Sequence, residues 1–472
     1  MYKNIIKANS LFGAIQVINI IIQIVKTKVL AILIGASGYG IISLYNAYID
    51  FTYNLSHVGL HTTAIKFLSK RNISQKYFKS LKIIYLSLLI IFSLFAITVV
   101  ILFSERISQT IFDSKEYSSS IRYISAVIIF RHLTSFLNSE LQALRKLKQL
   151  AKANVLSNLT SFFIVIPLYY FYGIDIVVVA FILASLSSFI VTCFFSEKLE
   201  LFFPSKKKTK IISLNLLNLG LVLVFSTILN QSVLLLLKIL VQNNLGINEV
   251  GIYSAGLLIT NTYLGLIFSA LATDYFPRLS STIRDNVNSI KIVNAQTKII
   301  LIVVFPLVIF LIFFVDFLVS ILFTDDFIGL NTFVKISAIG LFFKSISWCL
   351  GYVIIANANK KKFIIVESIF QFIYLGLSLL FFFQFGINGL ALATSIGFII
   401  YFPIIYFVVR KEIKFKYDIQ LIRLISFLLL FICCAYLIEF STFKFKISLK
   451  IFLMVVTLVF CTRKIHKLYV SK

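Results

Sequence analysis

The chain has none of the compact signatures by which enzymes reveal their chemistry. It carries no glycine-rich phosphate loop, no HExxH helix and no nucleophile elbow. The loops between its apolar segments are too short to build a soluble catalytic domain. Acidic residues are scarce, with 18 Asp and Glu against 45 Lys and Arg. Cys193, Cys349, Cys433, Cys434 and Cys461 lie in or beside apolar segments without ligand spacing, so they read as lipid- or core-facing thiols and not as metal ligands or disulfides. No metal, cofactor or catalytic residue is expected. A formal net charge of +27 would ordinarily suggest a nucleic-acid partner, but the charges cap apolar segments, which membrane topology explains by itself. A cleaved secretory signal is not expected either. The first apolar stretch is too long, contains Gln16, Asn19, Gln23, Lys26 and Lys28, and leads into further spans.

What the chain has in abundance is hydrophobicity. Apolar residues make up 60% of it and divide into about fourteen segments: 9–34, 40–65, 83–104, 120–143, 154–172, 174–195, 211–241, 247–275, 299–323, 331–356, 363–385, 388–409, 421–439 and 447–462. Most meet the roughly 20 residues a helix needs to cross a bilayer. The expected fold is an all-α polytopic membrane protein. Loops alternate between basic clusters, such as Lys70-Arg71, Arg145-Lys146, Lys206-Lys207-Lys208, Lys360-Lys361-Lys362 and Arg410-Lys411, and terse stretches of little charge, such as Gly35–Gly40. Basic residues stay on the side where they need not be dragged through the bilayer, which puts both termini in the cytoplasm and the protein in the cytoplasmic membrane.

An internal duplication organises the segments. "FRHLTSFL" from Phe130 to Leu137 aligns with "FKSISWCL" from Phe343 to Leu350 at an offset of 213, pairing Arg131 with Lys344 and Arg122 with Lys335. The same offset sets Gly173-Ile174-Asp175 on Gly386-Ile387-Asn388. An offset of 211 pairs Gly40-Ile41 with Gly251-Ile252, and one residue earlier in register Lys28-Val29-Leu30 meets Lys238-Ile239-Leu240. Each match is weak alone; their common order and near-constant offset make the repeat. The expected organisation is a six-helix bundle over 1–205, a second over 206–410 and an additional helix pair with a basic tail over 411–472. Parallel repeats of this kind enclose a central cavity and rock against each other.

Several stretches carry a family resemblance. They are Lys28-Val29-Leu30 with Gly35 and Gly38–Gly40, Ala64-Ile65-Lys66-Phe67, Glu249-Val250-Gly251-Ile252-Tyr253, Phe276-Pro277-Arg278-Leu279-Ser280, and the run from Gly351-Tyr352 through Ala356 to Phe363 and Glu367. Over about residues 1–410 the chain resembles polysaccharide flippases of the multidrug/oligosaccharidyl-lipid/polysaccharide exporter superfamily, nearest the O-antigen and enterobacterial-common-antigen translocases. The C-terminal pair departs from the twelve-span pattern common among those translocases. Lipid II flippases of the same superfamily have fourteen spans, so the branch stays open. The resemblance implies a transporter, not an enzyme, that flips an undecaprenyl-diphosphate-linked oligosaccharide to the outer leaflet for surface-polysaccharide synthesis. Its partners would be that lipid-linked oligosaccharide and membrane lipids. A polysaccharide polymerase complex and a coupling proton or sodium ion remain open as further ones.

Charges within the spans are the candidate site. A Lys or Arg at mid-bilayer costs about 2.5–3.5 kcal/mol, so Lys26, Lys28, Arg131, Lys238 and Lys344 are expected to face protein or a water-filled cavity. Fixed cations there would lower the barrier for a diphosphate, and Arg can fork onto its oxygens. Lys28, Arg131, Lys238 and Lys344 are therefore the expected substrate-binding residues. The competing reading is an ion pair with a neighbouring carboxylate. Lys26 reads as a snorkelling or packing charge, as do Arg122 and Lys335 near outer ends. The resemblance adds Lys66, at a cytoplasmic end where a loading phosphate is first met, although topology accounts for that lysine equally well. Among the acids Asp50 is the expected coupling residue, with Asn46 and Asn54 as polar companions one turn away on each side. Glu140 and Glu367 lie toward cytoplasmic ends where water could reach them. His57 and His61 share one helix face and read as structural.

Two readings compete with the flippase. A cation-coupled multidrug exporter shares the fold but should present an acidic and aromatic site. A membrane-embedded polysaccharide polymerase or ligase should carry a sizeable outer loop, and the longest outer stretch here is Glu105–Ser119.

Overall fold

The computed structural model describes residues 2–69, 74–197, 205–357, 359–441 and 446–470. The basic cluster at Lys70-Arg71 lies outside the described residues. Everything regular among them is helical: α1 (Tyr2–His57), α2 (Leu60–Leu68), α3 (Gln75–Leu102), α4 (Ser104–Phe112), α5 (Ser118–Ile124), α6 (Ala126–Ala143), α7 (Leu147–Tyr172), α8 (Val177–Phe195), α9 (Lys206–Leu245), α10 (Ile247–Leu257), α11 (Leu264–Thr282), α12 (Asn286–Leu322), α13 (Leu330–Ala356), α14 (Lys360–Ile413), α15 (Ile419–Phe440) and α16 (Lys446–Val470). A wide π turn, Leu258–Tyr263, joins α10 to α11.

Nine helical stretches among the described residues are long and apolar enough to cross a membrane. Leu147–Phe195 and Lys361–Ile413, of 49 and 53 residues, hold two crossings each, since one crossing takes roughly 20. The fourteen expected spans fall largely on helix, the second being interrupted by a turn at Val58–Gly59 between α1 and α2, and the protein is an all-α multi-pass membrane protein. Boundaries differ where amphipathic ends extend apolar cores. The third span is expected from residue 83, but α3 starts well before it, at a cap where Tyr77 N–H donates to the Ser74 hydroxyl (3.3 Å). The expected outer stretch Glu105–Ser119 is not all loop, because α4 occupies much of it.

Backbone breaks recur at the repeat offsets. Gly35 interrupts α1 at φ 61°, ψ −168°. Its counterpart at the offset of 211 is Gly246, which separates α9 from α10 at φ 90°, ψ 176°. Gly173 ends α7 at φ 60°, ψ −145°. Its counterpart at the offset of 213 is Gly386, which breaks α14 at φ 58°, ψ −135°. These conformations are close to glycine-only, because a Cβ would collide with flanking backbone. Phe103 between α3 and α4 (φ −102°, ψ 11°) and Phe314 within α12 (φ −124°, ψ 19°) are counterparts in the same way. So are the capping residues Ser74 and Asp285, each accepting from the N–H three residues on.

The chain forms two compact units, Met1–Gly251 and Ile252–Lys472. Packing and repeat divide it differently, because α9, the first helix of the second repeat, packs with α1, α2 and α3 in the first unit. That unit's core includes Leu60, Leu81, Tyr85, Leu89, Phe136 and Leu216. In the second unit α12, α13 and α14 pack in series, and α15 and α16 lie against α12. An ion-pair cluster reinforces this docking: Glu439 of α15 bonds Lys335 of α13 (2.8 Å) and Lys450 of α16 (2.6 Å).

Candidate functional site

In the first unit two helices turn polar faces toward one space. Asp50, Tyr53, Asn54 and His57 follow one another along α1 at helical spacing. Arg131, Thr134, Ser135 and Asn138 do the same along α6. Between them lies a cavity of about 510 Å³, completed by Gly59, by His61 and Thr62 of α2, by Ser185 and Ser188 of α8, and by Val224 and Thr227 of α9. Apart from Gly59 and Val224, every lining side chain can hydrogen-bond. The buried Asn138 side-chain oxygen has no protein hydrogen-bond partner.

At the cavity wall Arg131 Nη1 meets Asp50 Oδ1 at 2.7 Å, and the guanidinium lies 4.7 Å from the centre of the Tyr53 ring. Both charged side chains keep about a third of their surface open, 35% and 38%. The residues expected to bind substrate and to couple transport thus form one ion pair. The asparagine companions expected for the Asp50 carboxylate are not its partners. Asn54 donates to the Asp50 backbone carbonyl (2.7 Å), and Asn46 is exposed.

Lys238 reaches the same neighbourhood from α9. It donates to the Ser43 hydroxyl (2.6 Å) and carbonyl (3.3 Å) and is attracted by Asp50. Asp50, Arg131 and Lys238 are therefore brought together, although only Arg131 of the three lines the cavity. Lys28 is half-buried on α1, two turns before the Gly35 break, and does not line this cavity. Lys66 is exposed near the end of α2. Lys344 sits in the second unit, where it donates to the Asn261 side-chain oxygen (2.6 Å) and lies 5.5 Å from the centre of the Phe398 ring. Both contacts are neutral, and among the described residues no carboxylate forms an ion pair with the ammonium.

Several polar residues matter more than their sequence context suggests. His132, next to Arg131, joins His57 and His61: its ring centre is 5.7 Å from that of His57, and its Nδ1 pairs with the Ile128 carbonyl at 2.7 Å. Ser135 touches His57 Nε2 (3.3 Å) and His61 Nδ1 (3.1 Å), and Ser139 connects His61 to the Tyr85 hydroxyl (3.0 Å). This is a hydrogen-bonded wall, and among the described residues no group of His, Cys, Asp and Glu is arranged to hold a metal. Glu140, expected within reach of water, is 1% exposed and forms an ion pair with Lys82. Lys82 carries no sequence signal, since it falls just before the apolar run it precedes. Arg122 and Lys335 do not simply snorkel either. Arg122 contacts Ser104 (2.8 Å) and Glu105 (3.7 Å), and Lys335 contacts Glu439 and Asp316.

Comparisons with known proteins bear on the family and the fold. A family model described as "Polysaccharide biosynthesis protein" matches residues 29–331. Among solved structures, the fold is similar to the lipid II flippase MurJ in an inward closed conformation, with TM-score 0.76, 18% identity, and 98% of this chain and 99% of that one covered. It is also similar to an inward-facing multidrug resistance MATE family transporter of the MOP superfamily (TM-score 0.68, 13% identity, 86% and 94% covered). A third similar structure is a MOP superfamily transporter from Pyrococcus furiosus, described as having reversed binding-pocket polarity (TM-score 0.62, 14% identity, 87% and 97% covered). No curated protein sequence matches the chain.

Proposed function

The chain belongs to the polysaccharide biosynthesis protein family, and from that premise we propose that it is a flippase for an oligosaccharide linked to undecaprenyl diphosphate. It moves the head group from the cytoplasmic to the outer leaflet of the cytoplasmic membrane, for O-antigen-type surface polysaccharide, while the lipid tail stays in the bilayer. In this reading 1–205 and 206–410 are two six-helix repeats and 411–472 is an accessory pair. Both termini are cytoplasmic, and no covalent chemistry is performed.

The observation that carries this reading is the cavity of the first unit. A sugar presents many hydroxyls and little apolar surface, and losing its water is costly unless each hydroxyl finds a partner. Serine, threonine, asparagine, histidine and tyrosine side chains at the wall supply such partners inside a membrane-spanning unit. A lipophilic organic cation would instead call for an open carboxylate, and Asp50 is already engaged by Arg131. That favours the glycan over the multidrug reading. Depleting the protein in its host should leave lipid-linked glycan accumulating on the cytoplasmic leaflet while its synthesis continues. Loss of the linked glycan itself would point to an enzyme of glycan assembly.

A further inference from the structure

The two repeats place the same pair of contacts at corresponding positions, with one chemical difference. Asp50 meets Arg131 in the first unit. The offset of 211 carries Asp50 onto Asn261, and the offset of 213 carries Arg131 onto Lys344. These two also meet, at 2.6 Å. The offsets are those of the glycine breaks, so the contacts are counterparts. In the first the cation faces a carboxylate; in the second it faces a neutral amide. Among the described residues, no carboxylate takes the place of Asn261 beside Lys344.

We infer that Lys344 with Asn261 forms the anion subsite of the proposed transporter, taking a phosphate oxygen of the cargo, and that Arg131 does not. The inference rests on the reading of the cargo as a lipid diphosphate. A half-buried ammonium in a span draws in a counter-charge, and when the protein supplies none a ligand can. Asn261 spends its side-chain oxygen on Lys344, which leaves its amide N–H groups to donate alongside the ammonium, so the pair offers donors of one polarity. Asn261 stands in the π turn Leu258–Tyr263, where the widened backbone re-aims side chains, a local geometry often found at functional sites. Arg131 has its guanidinium committed to Asp50 and its face to Tyr53. It must break an ion pair before it can bind a phosphate; Lys344 need only share a neutral contact.

The decisive substitution is Asn261→Asp, which gives the second unit the carboxylate that the first already has. Purified protein in nanodiscs is titrated with farnesyl diphosphate, with farnesol as the uncharged control. The wild type should bind the diphosphate in preference to the alcohol. Asn261→Asp and Lys344→Gln should each weaken that binding roughly tenfold, the effect of one lost charge-assisted contact. Lys344→Arg should retain it, and Arg131→Gln should weaken it less than Lys344→Gln does. Thermal unfolding of each variant identifies any that fail to fold. If the wild type binds the diphosphate and Asn261→Asp and Lys344→Gln bind it equally well, the anion lies elsewhere and the inference is wrong while the flippase reading stands. A wild type that does not distinguish diphosphate from alcohol overturns both.

Discussion

Lys82 of α3 and Glu140 of α6 form an ion pair inside the first unit, with side chains 6% and 1% exposed. The second Glu140 oxygen has no partner, so the pair is held mainly by its own attraction. Removing one member leaves a buried charge uncompensated, at a cost of about 3–5 kcal/mol. Glu140→Ala should therefore lower the unfolding temperature and the membrane level of the protein, whereas Lys82→Met with Glu140→Leu should restore most of both. Equal damage by the single and double variants, measured by unfolding of purified protein, would mean that the pair's role is not the satisfaction of charge.

The Arg131–Asp50 pair is more open and borders the cavity, so stability and transport should separate there. Its contribution to folding should be smaller than that of the buried Lys82–Glu140 pair. Asp50→Asn keeps the shape and removes the charge. It should fold normally yet transport without responding to a proton or sodium gradient, because an ion shifts a conformational equilibrium only by binding the two states differently. Reconstituted vesicles with an imposed gradient check this. An unchanged gradient response in Asp50→Asn would leave Asp50 as the structural partner of Arg131.

The paired glycine breaks can be tested without disturbing packing. A Cβ added at Gly173 or Gly246 meets nothing within 4 Å, so an alanine there feels only the backbone conformation. Each substitution should cost about 1–3 kcal/mol, the strain of a non-glycine residue in that region. Thermal unfolding should show similar losses at the two sites. A neutral Gly246→Ala would mean that the break between α9 and α10 does not require glycine.

Much of the fold was legible because hydropathy reports membrane spans directly, and because the glycines that break helices sit at the offsets of a sequence repeat. Positions of the charges could be read; their partners could not. Asp50 and Arg131 stand on different helices, far apart in the chain, and nothing local says that the coupling candidate and the substrate candidate touch. Lys82 falls one residue before the expected third span, and because α3 begins well before that apolar run the lysine is carried into the interior. Lys335 looked like a snorkelling residue because its partner Glu439 belongs to a helix outside the repeat. His132 was hidden by its neighbour: Arg131 is the conspicuous charge of that span, while the histidine one position on completes the polar wall.

The central claim is that this protein moves a lipid-linked sugar between leaflets, and a leaflet-exposure assay tests it most directly. Purified protein is reconstituted into liposomes carrying a polyprenyl-diphosphate glycan on the inner leaflet, and a membrane-impermeant glycan-degrading enzyme is added outside. The account predicts that the inner pool becomes degradable at a rate that rises with protein content and falls when Ser135 and Asn138 of the cavity wall are replaced by leucine. An inner pool that stays protected, as it does in protein-free liposomes, would contradict it.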